Sequence, residues 1–274
     1  MDGDTRDDGD AALLAAAHAA ADAARAPCLE RFRQSTLAAD DKAEASGRFD
    51  PVTAADRAAE IAMRAVLARL RPGDAVMGEE HAPTPGDTGF TWVLDPIDGT
   101  RSYMSGAPTW GVLVALNDGV RPVIGLIDQP FTGERFEGLV RGGRATASWT
   151  RGAEKRALRT RPCAALSDAT LFTTYPEVGT AAEQAGFNAV RDHVRLTRYG
   201  LDCYAYALLA MGCVDLVIEA GLQPYDVQAL IPVIEGAGGV ITGWRGEDCQ
   251  QGGRVVAAGD AALHAAALEI LSRV

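Results

Sequence analysis

The sequence predicts an α/β protein of layered helices and sheets, and three observations predict it. The second half alternates strand-like and helical runs: "ATLFTTYP", "AAEQAGFNAVRDHV", "RLTRYG", "DCYAYALLAMG" and "VDLVIEAG". The first half instead sets helices ahead of a meander, where "FTWVLD" precedes "WGVLVALNDGVRPVIGLIDQP" and Asn-Asp-Gly marks a hairpin turn. The chain has 274 residues, 47% of them hydrophobic, which is long enough for a sizeable core. The change of pattern after Pro162 divides the chain into residues 11–160 and 161–274, behind an acidic lead over 1–10 expected to be disordered.

Each element follows in order. "AALLAAAHAAADAARAPCLERF" reads as helix, with Pro27 marking a break or a second start. "FDPVTAADRAAEIAMRAVLARLRPGD" reads as a helix capped by Thr53 with Asp56 three positions on. Its apolar stripe is Ile61, Val66, Leu67 and Leu70, and "RPGD" ends it. "AVMGEE" is a short strand ending in acids, and "PTPGD" a surface turn. Residues 132–160, rich in Gly and Arg, suit further hairpin strands. "PYDVQALIPVIEGAGG" reads as one helix with glycines past its end, followed by a strand at "VVAAG" and a final helix.

The formal net charge of −11 argues against a protein that binds nucleic acid by covering phosphates. Five scattered cysteines without metal spacing favour reduced thiols over a disulfide framework. "MDGDTRDDGD" has neither the basic nor the apolar segment of a signal peptide, and no apolar run approaches the roughly 20 residues that span a bilayer. The expectation is a cytoplasmic protein with no membrane partner.

Acidic residues cluster at the ends of predicted strands and the starts of predicted helices: Asp56, Glu79 with Glu80, Asp95 with Asp98, and Asp226. In isolation each has a plain structural role. Asp95 and Asp98 suit a strand-terminal Asx turn, Glu79–Glu80 a solvated loop, and Asp56 and Asp226 the first turn of a helix. Together they suit Mg²⁺, which takes one or two carboxylates along with water and substrate phosphate. In "WVLDPIDGT" the Ile97 carbonyl can face the same point as the two aspartates, and Gly99 and Thr100 offer amides for a phosphate. The chemistry implied is Mg²⁺-dependent hydrolysis of a phosphate ester.

"GEE" (78–80), "WVLDPIDGT" (92–100) and "PYDVQALIPVIEGAGG" (224–239), with "PVTAADRAAE" (51–60) ahead of them, resemble the signature motifs of the inositol monophosphatase family. The resemblance implies an alternating αβαβα sandwich, commonly a homodimer inhibited by lithium, with two to three Mg²⁺ ions and no covalent intermediate. It implies that Glu79, Asp95 and the Ile97 carbonyl bind the first ion, that Asp95, Asp98 and Asp226 bind the second, and that a weaker third ion sits near Glu79. Glu79 and Thr100 would position the attacking water, Asp56 would hydrogen-bond Thr100, and the amides of Gly99 and Thr100 would hold phosphate. The usual Lys-x-Asp-Gly-Ser run before "PVT" is replaced by "DDKAEASGRFDPVT", in which Lys42 stands for the family's loop lysine.

Within the family the sequence is most like the bacterial histidinol-phosphatase branch. Arg101-Ser102 follows "DGT" where inositol phosphatases carry Asn-Phe, and Tyr225 replaces a Trp. The family's substrate contacts fall on Gly200, Leu201, Asp202 and Glu219, with Arg198 a further candidate. Asp202 suits a cationic amine such as histidinol phosphate, or is simply the N-cap of the following helix. Alternatives are an inositol-1-monophosphatase or a broad sugar-phosphate phosphatase. Nucleotide 3′-phosphatase or fructose bisphosphatase activity lacks a second basic cluster, and an RNA-associated regulatory role fits poorly with intact carboxylates.

Overall fold

The runs Trp92–Leu94, Val112–Leu116 and Val123–Ile127 are apolar on both alternating faces, so a sheet built from them needs cover on both sides. The computed structural model, which describes residues 4–34, 39–41 and 51–274, supplies that cover as five layers around three cores. A seven-stranded sheet runs from edge to edge through β3 (Ala75–Gly78), β4 (Thr91–Asp98), β5 (Gly111–Asn117), β6 (Pro122–Gln129), β7 (Glu134–Arg141), β8 (Arg144–Arg151) and β9 (Glu154–Ala157). Only β3 and β4 run parallel; the rest form the predicted antiparallel meander. Before them, β1 (Ala39–Asp41) and β2 (Pro51–Thr53) pair antiparallel.

One face of this sheet packs on α1 (Asp4–Arg31) and α2 (Ala54–Leu70), burying Leu13, Cys28, Met63 and Leu67 against Trp92, Leu94 and Val114. A short helix α3 (Thr100–Met104) follows β4, and the other face packs on α5 (Cys203–Ala210), α6 (Pro224–Val227) and α7 (Leu230–Gly236). Gly138 on β7 has no side chain because a Cβ there would lie 2.2 Å from the Pro232 carbonyl, so α7 rests directly on the strand.

The second sheet has the order β11 (Leu196–Tyr199), β10 (Thr170–Thr173), β12 (Leu216–Leu222), β14 (Gly253–Ala258), β13 (Val240–Thr242). Its inner face, with Val217, Val255 and Ala257, shares the core of α5 and α7. Its outer face, with Leu171, Ile218 and Val256, is covered by α4 (Ala181–Arg191) and α8 (Ala261–Leu271). The layer order is therefore αβαβα, as expected. Among the described residues no helix is long and apolar enough to cross a membrane, and all five cysteines are unbridged.

Four expectations are corrected. Residues 4–10 are not disordered but open α1, and Asp10, 6% exposed, accepts a hydrogen bond from Arg141 that ties the helix to the sheet. Pro27 neither breaks α1 nor starts a new helix. It removes one backbone donor, but the buried Cys28 and Phe32 beyond it hold that end in the core. In α2 the buried stripe is Ala55, Ala59, Met63 and Leu67, whereas Ile61 and Leu70 are exposed. The single helix expected over 224–239 is two, because Pro232 has no N–H for the Gln228 carbonyl one turn before it. The strand β13 was not expected. Lys42 and the altered run 42–50 lie outside the described residues.

Candidate active site

Asp95 and Asp98 would point to opposite faces of a regular strand, since side chains alternate. Opposite β5 the register slips: Asp95 faces Leu113 and Asp98 faces Gly111, so β4 advances three residues against two. This bulge, at Pro96-Ile97, turns both carboxylates to one side. Glu79 reaches the same place from the parallel neighbour, its N–H donating to the Leu94 carbonyl at 3.2 Å. Asp226 comes from the opposite side of the cleft, in the first turn of α6, where it accepts the Gln223 N–H at 2.7 Å.

Oxygens of Asp95, Asp98 and Asp226 all lie within 4.8 Å of one another. Burial, and then the like charges of Glu79, Asp98 and Asp226, push the Asp95 carboxyl well above the ordinary carboxylate range. Burial raises Asp98 as well, followed by Asp202 and Asp226. Glu79 is in hydrogen-bonding contact with Asp95, carboxyl against carboxyl. An all-oxygen donor set that repels itself where Asp95 is buried and Asp98 and Asp226 half-buried is what a hard divalent cation fits.

Asp56, 1% exposed, completes a capping box with Thr53 at the start of α2, as the spacing predicted. Its other oxygen lies 3.4 Å from the Thr100 hydroxyl, which also reaches the Ile97 carbonyl at 3.1 Å. Gly99 has φ +83, and a Cβ there would lie 2.7 Å from the Asp202 carboxyl carbon, so only glycine fits between β4 and α5.

The cleft has a volume of about 370 Å³ and opens between the cluster of Asp95, Asp98 and Asp226 and a second acidic wall, Asp202 and Glu219. Glu219, midway along β12, accepts from the Thr174 N–H at 2.7 Å, the Thr174 hydroxyl at 2.9 Å and the Thr173 hydroxyl at 3.2 Å. Burial outweighs these bonds and lifts its pKa to about 7. Asp202 sits at the N-cap position of α5 with φ +49, but its side chain caps nothing. The first amide of α5, from Cys203, donates instead to Asp98 at 2.6 Å. The helix-cap reading of Asp202 is thereby corrected: its carboxylate accepts from the Ser102 hydroxyl at 2.6 Å, and burial raises its pKa.

Three of the substrate-contact candidates do not border the cleft. Arg198 lies on the edge strand β11 with its side chain exposed, Leu201 turns toward the core between the sheets, and Gly200 spends its N–H on the Thr173 carbonyl at 3.0 Å. Arg101, expected only as a branch feature, borders it, as do Tyr175 and Tyr206, which have no expected role. Tyr206 falls one turn after Asp202 on α5, so helical spacing was the available signal.

The profile of the inositol monophosphatase family matches residues 10–274. The chain belongs to the inositol monophosphatase family. That makes it a phosphatase of a metal-dependent family, generally using Mg²⁺, in agreement with the acidic cluster. It is 36% identical over 258 residues to the histidinol-phosphatase of Streptomyces coelicolor, covering 92% of this chain and 93% of that one. It is 45% identical over 234 residues to the chloroplastic bifunctional phosphatase IMPL2 of Arabidopsis thaliana. That match covers 81% of this chain and 66% of the plant protein, just under two thirds of its length. A solved inositol monophosphatase from Zymomonas mobilis superposes with a TM-score of 0.81 at 38% identity, covering 94% of this chain and 97% of the other.

Proposed function

We propose that this family member hydrolyses L-histidinol phosphate to L-histidinol and phosphate. The observation that carries the reading is the acidic wall opposite the metal carboxylates. Glu219 is buried and Asp202 half-buried, and burial opposes the charge of each. A substrate whose alcohol half carries an ammonium and an imidazole supplies counter-charge to this wall, beyond that of Arg101 on Asp202. The identity to the Streptomyces histidinol-phosphatase supports the same choice.

Glu79, Asp95 and the Ile97 carbonyl would hold one Mg²⁺, and Asp95, Asp98 and Asp226 a second, with a weaker third near Glu79. Bound there, Mg²⁺ lowers the pKa of water and polarises the phosphoryl oxygens. The chain's own groups do the rest. The Thr100 proton is engaged by Asp56 or by the Ile97 carbonyl, which leaves the hydroxyl's lone pairs to accept from the attacking water. Glu79 accepts the water's other proton and fixes its direction. The amides of Gly99 and Thr100 border the cleft where the phosphate would rest.

A second reading, inositol-1-monophosphatase, is supported by the Zymomonas structure. Asp202→Ala separates the two. It should raise KM for histidinol phosphate about tenfold, the scale of one lost charge-assisted hydrogen bond, and leave myo-inositol 1-phosphate nearly unchanged. Equal effects on both esters would remove the cationic-substrate reading.

A further inference from the structure

We infer that Ser102 is a positioning residue for substrate selection, acting through Asp202. The inference rests on the substrate reading above and accounts for a departure in the sequence, the Ser that follows Arg101 after the "DGT" motif.

Asp202 is an unusual N-cap. Its backbone lies at φ +49 and ψ −139, a conformation that favours glycine, and it does not cap its own helix. The task that would normally fix its side chain has passed to Asp98, which takes the Cys203 N–H. Tyr204 and Ala205 donate to backbone carbonyls, of Leu201 and Asp202 respectively. The carboxylate is therefore oriented by its contact with Gly99 on one side and by the Ser102 hydroxyl at 2.6 Å. Gly99 offers only a surface to pack on, whereas Ser102 offers a directed donor.

Ser102 does not itself border the cleft, and Asp202 does. A change at 102 thus removes no direct substrate contact, and an effect on substrate choice must travel through the carboxylate. Ser102 donates to Oδ2, which leaves Oδ1 as the oxygen with both lone pairs available for an N–H donor of the alcohol half. Arg101, the neighbour of Ser102, favours the ionised form of Asp202, as does the serine bond, against the burial that opposes it. The serine bond thereby aims the Asp202 carboxylate. That aim is not needed if the alcohol half is a neutral polyol.

The test is a double-mutant cycle with Ser102→Ala, Asp202→Ala and the pair, plus Ser102→Thr, assayed with Mg²⁺ on L-histidinol phosphate, myo-inositol 1-phosphate and p-nitrophenyl phosphate. Ser102→Ala should raise KM for histidinol phosphate about tenfold with kcat within about twofold, and Ser102→Thr should restore it. Values for p-nitrophenyl phosphate should not move. In the Asp202→Ala background the serine change should have no further effect. Additive effects, or equal losses on every ester, would overturn the inference, as would no effect of Ser102→Ala on the ester the wild type prefers. A wild type that prefers the inositol ester instead removes the substrate reading. The cycle on that ester still decides whether Ser102 acts through Asp202. Melting temperatures within about 2 °C of wild type would exclude unfolding as the cause of a lost activity.

Discussion

Removing one charge from the metal corner should make the metal-free protein more stable while destroying its activity. For unit charges 4.8 Å apart at an effective dielectric near 20, Coulomb's law gives about 3.5 kcal/mol per pair. The protein can escape part of this by taking up a proton, at a cost of about 4 kcal/mol for an ordinary carboxyl at pH 7, which caps the strain it carries. Asp95→Asn removes the most buried of the three charges. It preserves the oxygen that accepts the Ile97 N–H at 3.0 Å. In EDTA the variant should gain roughly 2 kcal/mol, which for a chain of this size raises the melting temperature by about 5 °C. Mg²⁺ at about a hundred times its Kd should raise wild type by roughly 2.7 kcal/mol and the variant by far less. Phosphate release should fall by at least about 100-fold, beyond what losing an outer partner of a metal ligand costs. Differential scanning fluorimetry with and without Mg²⁺ reads the first two effects. A variant that melts below wild type in EDTA, or that gains as much from Mg²⁺, would refute the argument that these carboxylates repel one another until a cation joins them.

Two further predictions concern the supports of the site. Glu60 is fully buried, pairs with Arg64 at 2.7 Å and accepts the Glu80 N–H at 2.6 Å and the His81 N–H at 3.2 Å, so it anchors the turn that carries Glu79. Glu60→Gln should cost about 1–3 kcal/mol in denaturant unfolding and lower kcat several-fold; unchanged kcat would detach Glu79 from this anchor. Burial pushes the Asp74 carboxyl up, but hydrogen bonds from Arg71, Thr88 and Trp92 outweigh it and hold it below the ordinary range. A depressed folded pKa gives stability that is present above about pH 4, the unfolded value, and is lost as pH falls through the folded one. Urea midpoints should drop over that acid range in wild type and fall less steeply in Asp74→Asn, with equal slopes counting against the linkage.

Much of this architecture was legible because both sheets are covered on both faces, and continuous apolar runs with sharp turn residues announce such strands. The Thr53–Asp56 capping box was readable for the same reason: a local motif needs only a few neighbours. The acidic cluster was legible as a set of strand-end carboxylates. Its geometry was not, because the β4 bulge depends on pairing with β5. The division at Gln228 follows from Pro232, although the helical period of the residues around it runs straight through. Asp202 was read as either cap or ligand because its competitor for the Cys203 amide, Asp98, is distant in sequence. Glu60 carries no signal in the sequence, and Ser102 stands out there only as a branch feature, for the same reason: a residue that acts through a partner brought close only by folding leaves no local pattern.

Phosphate release from L-histidinol phosphate and myo-inositol 1-phosphate, measured side by side with and without Mg²⁺, tests the central claim most directly. The account predicts Mg²⁺-dependent release with a marked preference for histidinol phosphate, because the cationic half of that ester, unlike a neutral polyol, adds counter-charge to Asp202 and Glu219. Preference for the inositol ester would contradict the assigned role of the acidic wall, and release that needs no divalent cation would contradict the assignment of the carboxylate corner.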